Sequence, residues 1–126
     1  MEYQLKFENY WEVLALHKSM MAVKFDPSAY LKEAQGSPFT ASIAFKVFDL
    51  LVSMSLDDGK VQRAKDWQQW QIADESRTET QLLITRIGEQ GWWLEASHEK
   101  RKEYIVNFMS PLKLSDSLID TLVVGS

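Results

Sequence analysis

TQLLITRIGEQGWWLEASHEKRKEYIVNFM, residues 80–109, is the stretch on which the fold class turns. Thr80–Ile87 is rich in Thr, Ile and Leu. Gly88-Glu89-Gln90-Gly91 is a turn signal, Trp92–Ser97 alternates, and the charged run HEKRKE leads to Tyr104–Met109. Three runs of six to eight residues, separated by four and six, predict an antiparallel β-meander over about 79–109. Successive side chains in a strand face opposite ways. Trp92, Leu94 and Ala96 then share one face, as do Tyr104, Val106 and Phe108, while Trp93 and Ile105 point the other way. Trp92 is expected in the core. Trp93 is expected on an outer face rimmed by Glu79, Arg86 and Glu95. Ser110-Pro111 ends the sheet.

Upstream the texture is helical. Ser37–Leu56, SPFTASIAFKVFDLLVSMSL, reads as a central helix over about 38–56. Ser37 is placed to cap it and Pro38 to sit in its first turn, where no N–H is needed. Ala44, Phe45, Val47, Phe48, Leu51, Val52 and Ser55 make a wide stripe, and Ile43, Leu50 and Met54 cover much of the rest. Inside the run only Lys46 and Asp49 are charged. A helix apolar almost all round is expected to be wrapped by other elements.

Asn9, with Glu12 three residues on, is a capping-box pattern that opens a helix to about Lys24. Tyr10, Val13, Leu14, His17, Met20 and Met21 fall on one face of it; the alternation Trp11, Val13, Ala15 also permits a strand. Tyr3, Leu5 and Phe7 alternate as a short strand or an extended lead-in. Asp26-Pro27 opens a short helix that ends at Gly36, read as a left-handed terminator. Asp57-Asp58-Gly59 turns the chain. In 60–74, Val61, Ala64, Trp67 and Trp70 recur every three residues, which favours a helix to about Gln71, though Trp70 and Ile72 could begin a strand. Ser115 or Asp116 caps a short final helix holding Leu118, Ile119, Leu122 and Val123. Helices first and strands later make an α+β pattern, with N-terminal helices around a buried central helix packed on the meander. The expectation is one globular domain over 1–126.

The chain has 126 residues, 45% hydrophobic and 25% charged, which suits a folded domain and excludes a disordered one. Five Trp, six Phe and four Tyr supply much of the apolar area, each ring worth roughly 1.5–3 kcal/mol when buried. There is no cysteine, so disulfides, thiolate chemistry and Cys-ligated metal sites are excluded. MEYQLKFENYW has no apolar h-region, so no signal peptide is expected. Uncharged runs such as Leu50–Leu56 fall far short of a membrane span. The net charge of −4 argues against nucleic acid as a partner.

Few residues carry a chemical signature. His17 lies on the apolar stripe of its helix, where a core histidine with one hydrogen bond is the plainer reading and a catalytic base the sharper one. HEKRK is not HExxH, because the fifth residue is Lys102. The five glycines, at 36, 59, 88, 91 and 125, form no phosphate-binding or nucleophile-elbow motif. Asp57-Asp58-Gly59 lacks the ligand spacing of an EF-hand. His98–Glu103 reads as a solvated hairpin turn before it reads as a phosphate site. The aromatic pairs are the better clue, since tryptophans ringed by polar groups anchor protein interfaces.

No motif places the chain in a family; small, acidic and cysteine-free, it has the texture of a bacterial accessory protein. The function expected is a non-enzymatic, cytoplasmic protein-binding module, an immunity protein or inhibitor masking a basic toxin or enzyme. Acidic inhibitors gain on-rate against cationic partners by electrostatic steering. Expected contact residues are Trp93 with Glu79, Arg86 and Glu95, and then Trp67 and Trp70 with the acidic Asp57, Asp58, Asp66, Asp74 and Glu75. A dimeric secretion chaperone is the runner-up. The rival class is a small-ligand protein or enzyme with a pocket between helices and sheet, using His17. No cofactor, metal, nucleic acid or membrane is expected, and the chain is expected to be a monomer or homodimer.

Overall fold

Asn9 caps the first helix as expected, its side chain accepting the Glu12 N–H at 3.1 Å, but the capping box is only half formed: the Glu12 carboxylate accepts the N–H of Glu8, at 2.6 Å, instead of that of Asn9. The computed structural model describes residues 1–125, the side chain of Ala29 excepted. Its helices are α1 (Tyr10–Lys24), α2 (Lys32–Gly36), α3 (Pro38–Asp57), α4 (Val61–Gln71), α5 (Thr78–Glu89), α6 (His98–Met109) and α7 (Asp116–Val124). Short 3-10 turns cover Ala29–Leu31 and Trp93–Glu95. Among the described residues there is no strand, so the fold is all-α and the expected α+β architecture is overturned.

The meander is where the reading fails. Residues 79–109 hold α5, the 3-10 turn and α6. In α6 the side chains turned inward are Arg101, Tyr104, Ile105, Phe108 and Met109, spaced i, i+3, i+4, i+7, i+8 as a helix requires. Val106 is exposed, so Tyr104, Val106 and Phe108 do not share a face. The run HEKRKE is no hairpin turn. It is the first half of α6, capped by Ser97, whose hydroxyl accepts the Lys100 N–H at 3.1 Å. In α5 the buried positions are Thr80, Leu83 and Arg86, again at helical spacing. Leu94, expected in the core with Trp92, is exposed. Ser110-Pro111 ends a helix, not a sheet.

Other elements form where expected. Ser37 Oγ accepts the N–H groups of Phe39 and Thr40, and Pro38 sits in the first turn of α3. Gly59, at φ 73°, ends α3 in a Schellman motif: its N–H reaches Leu56 O and the Lys60 N–H reaches Ser55 O. α4 ends at Gln71, and Ser115 caps α7 by accepting the Leu118 N–H. Residues 1–7 form no strand. Gly36 closes α2 without a left-handed conformation. A Cβ there would lie 2.9 Å from Tyr104 Cε2, so it is the close approach of the Tyr104 ring that requires glycine.

α1 and α4 pack on α3, burying Tyr10, Val13, Val47 and Leu51 in one cluster. A second cluster joins α5, α6 and α7 through Leu83, Trp93, Ile105, Phe108, Met109 and Ile119. α3 is not wrapped all round. Its buried positions are Ala41, Ala44, Val47, Phe48, Leu51 and Ser55, and the opposite side meets solvent. Among the described residues it alone is long and apolar enough to cross a membrane, but its inner face supports the core against α1, α4 and α6.

Candidate functional site

His17 comes from the middle of α1 and is closed in by aromatic rings. Trp67 and Trp70, one turn apart on α4, meet it edge-on at 5.1 Å each, and Phe48 of α3 lies at 6.3 Å. Phe48 stacks on Trp70 at 5.7 Å, and Trp67 Nε1 donates to the Tyr10 hydroxyl at 2.9 Å. Burial pushes the His17 pKa down to about 4, helped by the charge of Lys18. Nδ1 has no hydrogen-bond partner among the described residues. The neutral imidazole fills the space between α1, α3 and α4, and no hydrogen bond to a carboxylate orients it among the described residues. Trp67 and Trp70 spend their rings on this aromatic box.

Lys24, at the end of α1, is fully buried, and burial alone pushes its pKa down to about 7. Its Nζ donates to Asn107 O at 2.6 Å, one of the carbonyls that the end of α6 leaves without a helical partner. It caps the C-terminal end of α6.

The rim expected around Trp93 does not exist. Trp93 is 3% exposed and packs against Trp92 and Tyr104, while Arg101 Nε donates to its carbonyl at 2.8 Å. Trp92 is the half-buried one, which reverses the expected pair. Arg86 is also 3% exposed: it donates to Gln35 Oε1 and to the carbonyls of Asp26 and Ser28, tying α5 to the α1–α2 connection. Glu79 is half-buried and pairs with Arg77 at 3.3 Å; Glu95 is exposed at the end of its 3-10 turn. Asp66 accepts from Gln62 on the surface of α4, and Asp58 pairs with Arg63 at 3.1 Å.

Asp74 and Glu75 are the expected residues that the fold gathers into a recess. Gln71 Nε2 donates to Pro111 O at 2.9 Å, the Lys113 N–H reaches Gln71 O at 2.8 Å, and the Ala73 N–H reaches Lys113 O at 2.9 Å. These bonds weld the α4–α5 connection to the α6–α7 connection. Beside the weld an open groove of about 730 Å³ runs between residues 72–75 and α7. Its lining includes Asp74, Glu75 and Asp116 against one base, Lys113, with Ile72, Leu114 and Leu118 as apolar surface. Ile72 is 64% exposed. Asp74 Oδ1 accepts from both the N–H and the hydroxyl of Ser76, at 3.0 and 2.7 Å, and these bonds hold its carboxyl below its usual range.

Sequence reasoning missed Ile72 and Asp116 as members of this site. The first lies just past a helix expected to end at about Gln71, or at the start of a strand, and the second is expected as a helix cap. They meet through the pairing of Ile72 with Lys113 and the bond from Gln71 to Pro111, about which nothing local in either segment speaks. Among the described residues no three His, Asp or Glu converge as a metal site would need. What the groove offers is net negative charge beside an exposed aliphatic side chain. The chain matches no family model, no curated protein and no solved structure with which it was compared.

Proposed function

We propose that this protein is a non-enzymatic binding module of the cytoplasm, an inhibitor or immunity protein that seats a basic segment of its partner in the groove beside α7. The observation that supports this most is the groove itself, which Asp74, Glu75 and Asp116 line together with the exposed Ile72. An apolar anchor within a polar rim is how small interfaces hold a partner, and three carboxylates against one ammonium steer a cation toward it. The burial of His17 in its aromatic box supports the non-enzymatic reading, since a general base must reach its substrate within hydrogen-bond distance.

The experiment is affinity capture with the wild-type chain and with a Glu75→Lys/Asp116→Lys variant, at low and high salt. The expected result is a basic protein held by the wild type, released by salt, and lost by the variant while the variant melts within a few degrees of wild type. The same protein captured equally by both chains removes the groove from the proposal. A dimeric secretion chaperone is the second reading, favoured by one observation, the solvent-facing side of α3.

A further inference from the structure

The exposed side of α3 carries a pattern that the groove beside α7 does not involve. Phe39, Ser42, Lys46, Asp49, Ser53 and Leu56 are all exposed, with Phe39 at 79%. Their spacings are three, four, three, four and three, so they form one row along the solvent side of the helix. The order along the row reads F-S-K-D-S-L. Reversed, it is L-S-D-K-S-F, so it complements itself. Rotation by a twofold axis that passes beside α3 at right angles to it, level with its midpoint between Val47 and Phe48, sets Phe39 against Leu56, Ser42 against Ser53, and Lys46 against Asp49 of a second copy.

We infer that α3 docks antiparallel on α3 of a second copy of this chain, with two reciprocal Lys46–Asp49 ion pairs at its centre. The ends of the seam are apolar and its quarter points are serines, small enough for close backbone approach. The flanks agree. Ile43 and Leu50 lie on one side of the seam, Phe45 and Val52 on the other, and an antiparallel pair brings each flank against its own kind. Ile43 and Phe45 are about half exposed. Beyond Phe45 the apolar surface continues into a groove of about 360 Å³ shared with Val106 of α6. Neither Lys46 nor Asp49 has an ion-pair partner among the described residues of one chain. Antiparallel helices also set each positive N-terminus beside a negative C-terminus. An acidic or basic foreign partner would meet a charge of the wrong sign at one of the two central positions, whereas a second copy satisfies both.

Sedimentation equilibrium over a concentration series reaching about 1 mM, high enough to half-populate the weakest specific dimers, tests this. The wild type should show a monomer–dimer equilibrium. Asp49→Lys faces Lys against Lys twice and Lys46→Asp faces Asp against Asp twice, so each variant alone should dissociate at least about tenfold more readily. Mixed together, the two variants should form a heterodimer, and the double variant Lys46→Asp/Asp49→Lys should dimerise like the wild type. All these positions are solvent-exposed, so circular dichroism should show every variant folded. A wild type that stays monomeric throughout overturns the inference. So does a dimer that ignores the single substitutions, or single variants that fail to pair with each other.

Discussion

Stripping the His17 imidazole and the Lys24 ammonium of water makes the stability of the protein depend on pH in two separate windows. The His17 pKa is lowered from 6.5 to about 4. Between those values the unfolded chain takes up a proton that the folded chain does not, so stability is full above 6.5 and falls as the pH drops toward 4, by up to about 1.4 kcal/mol per pH unit. The Lys24 pKa is lowered from 10.5 to about 7. From pH 7 up to 10.5 the unfolded chain again holds the extra proton, so stability rises with pH across that window and is greatest above it. Urea midpoints measured from pH 4 to 10.5 should show both slopes. His17→Gln should flatten the acid difference and Lys24→Met the alkaline one. If the curves of His17→Gln and wild type run parallel between 6.5 and 4, the imidazole is not held neutral by burial.

At the scale of elements, α6 gives the sharpest contrast between helix and strand. A strand running from Tyr104 through Phe108 would face Val106 inward and Ile105 outward, whereas α6 buries Ile105 completely and exposes Val106. Ile105→Ala is therefore expected to cost about 2–5 kcal/mol and Val106→Ser about 0.5 kcal/mol or less. The reverse ranking, read from urea melts, would restore the strand. In α3 the fully buried Leu51 faces α1 and α4, and Leu51→Ala should cost about 2–5 kcal/mol by leaving a cavity. The same helix carries an exposed side, so substitutions there should move association and not melting.

Across the whole molecule, Arg86 holds the α1–α2 connection to α5. Its guanidinium serves Gln35 Oε1, Asp26 O and Ser28 O while pairing with Glu89 at 3.3 Å. Gln35 is itself fully buried, and its amide donates to Val23 O at 3.2 Å. Arg86→Met would leave the buried Gln35 Oε1 without a donor, at about 1–3 kcal/mol, while Asp26 O keeps the Gln35 amide and Ser28 O keeps the Leu31 N–H. The expected loss is about 1–3 kcal/mol, with faster hydrogen exchange concentrated in residues 26–36 and little change at the groove beside α7. Exchange that rises uniformly along the chain would mean that the network does not act as a local clamp.

The local signals were legible in the sequence itself. The cap at Asn9, Ser37-Pro38 before α3, Gly59 after it and Ser115 before α7 each act within a turn of backbone, so a few neighbouring residues suffice to predict them. Asp74 and Glu75 were legible as acidic residues near tryptophans, and no more than that. Tertiary structure decided the rest. Thr, Ile, Val and Trp in residues 79–109 favour strands only insofar as a pleated, half-buried surface exists to receive them. Here the surfaces that receive them are helical: Arg86 and Arg101, which look like solvent residues in a strand reading, are inward members of α5 and α6 because distant carbonyls accept from them. Trp93 is buried and Ile72 exposed for the same reason. Their places follow from which segments meet across the chain, a free energy summed over contacts that no short window of sequence contains.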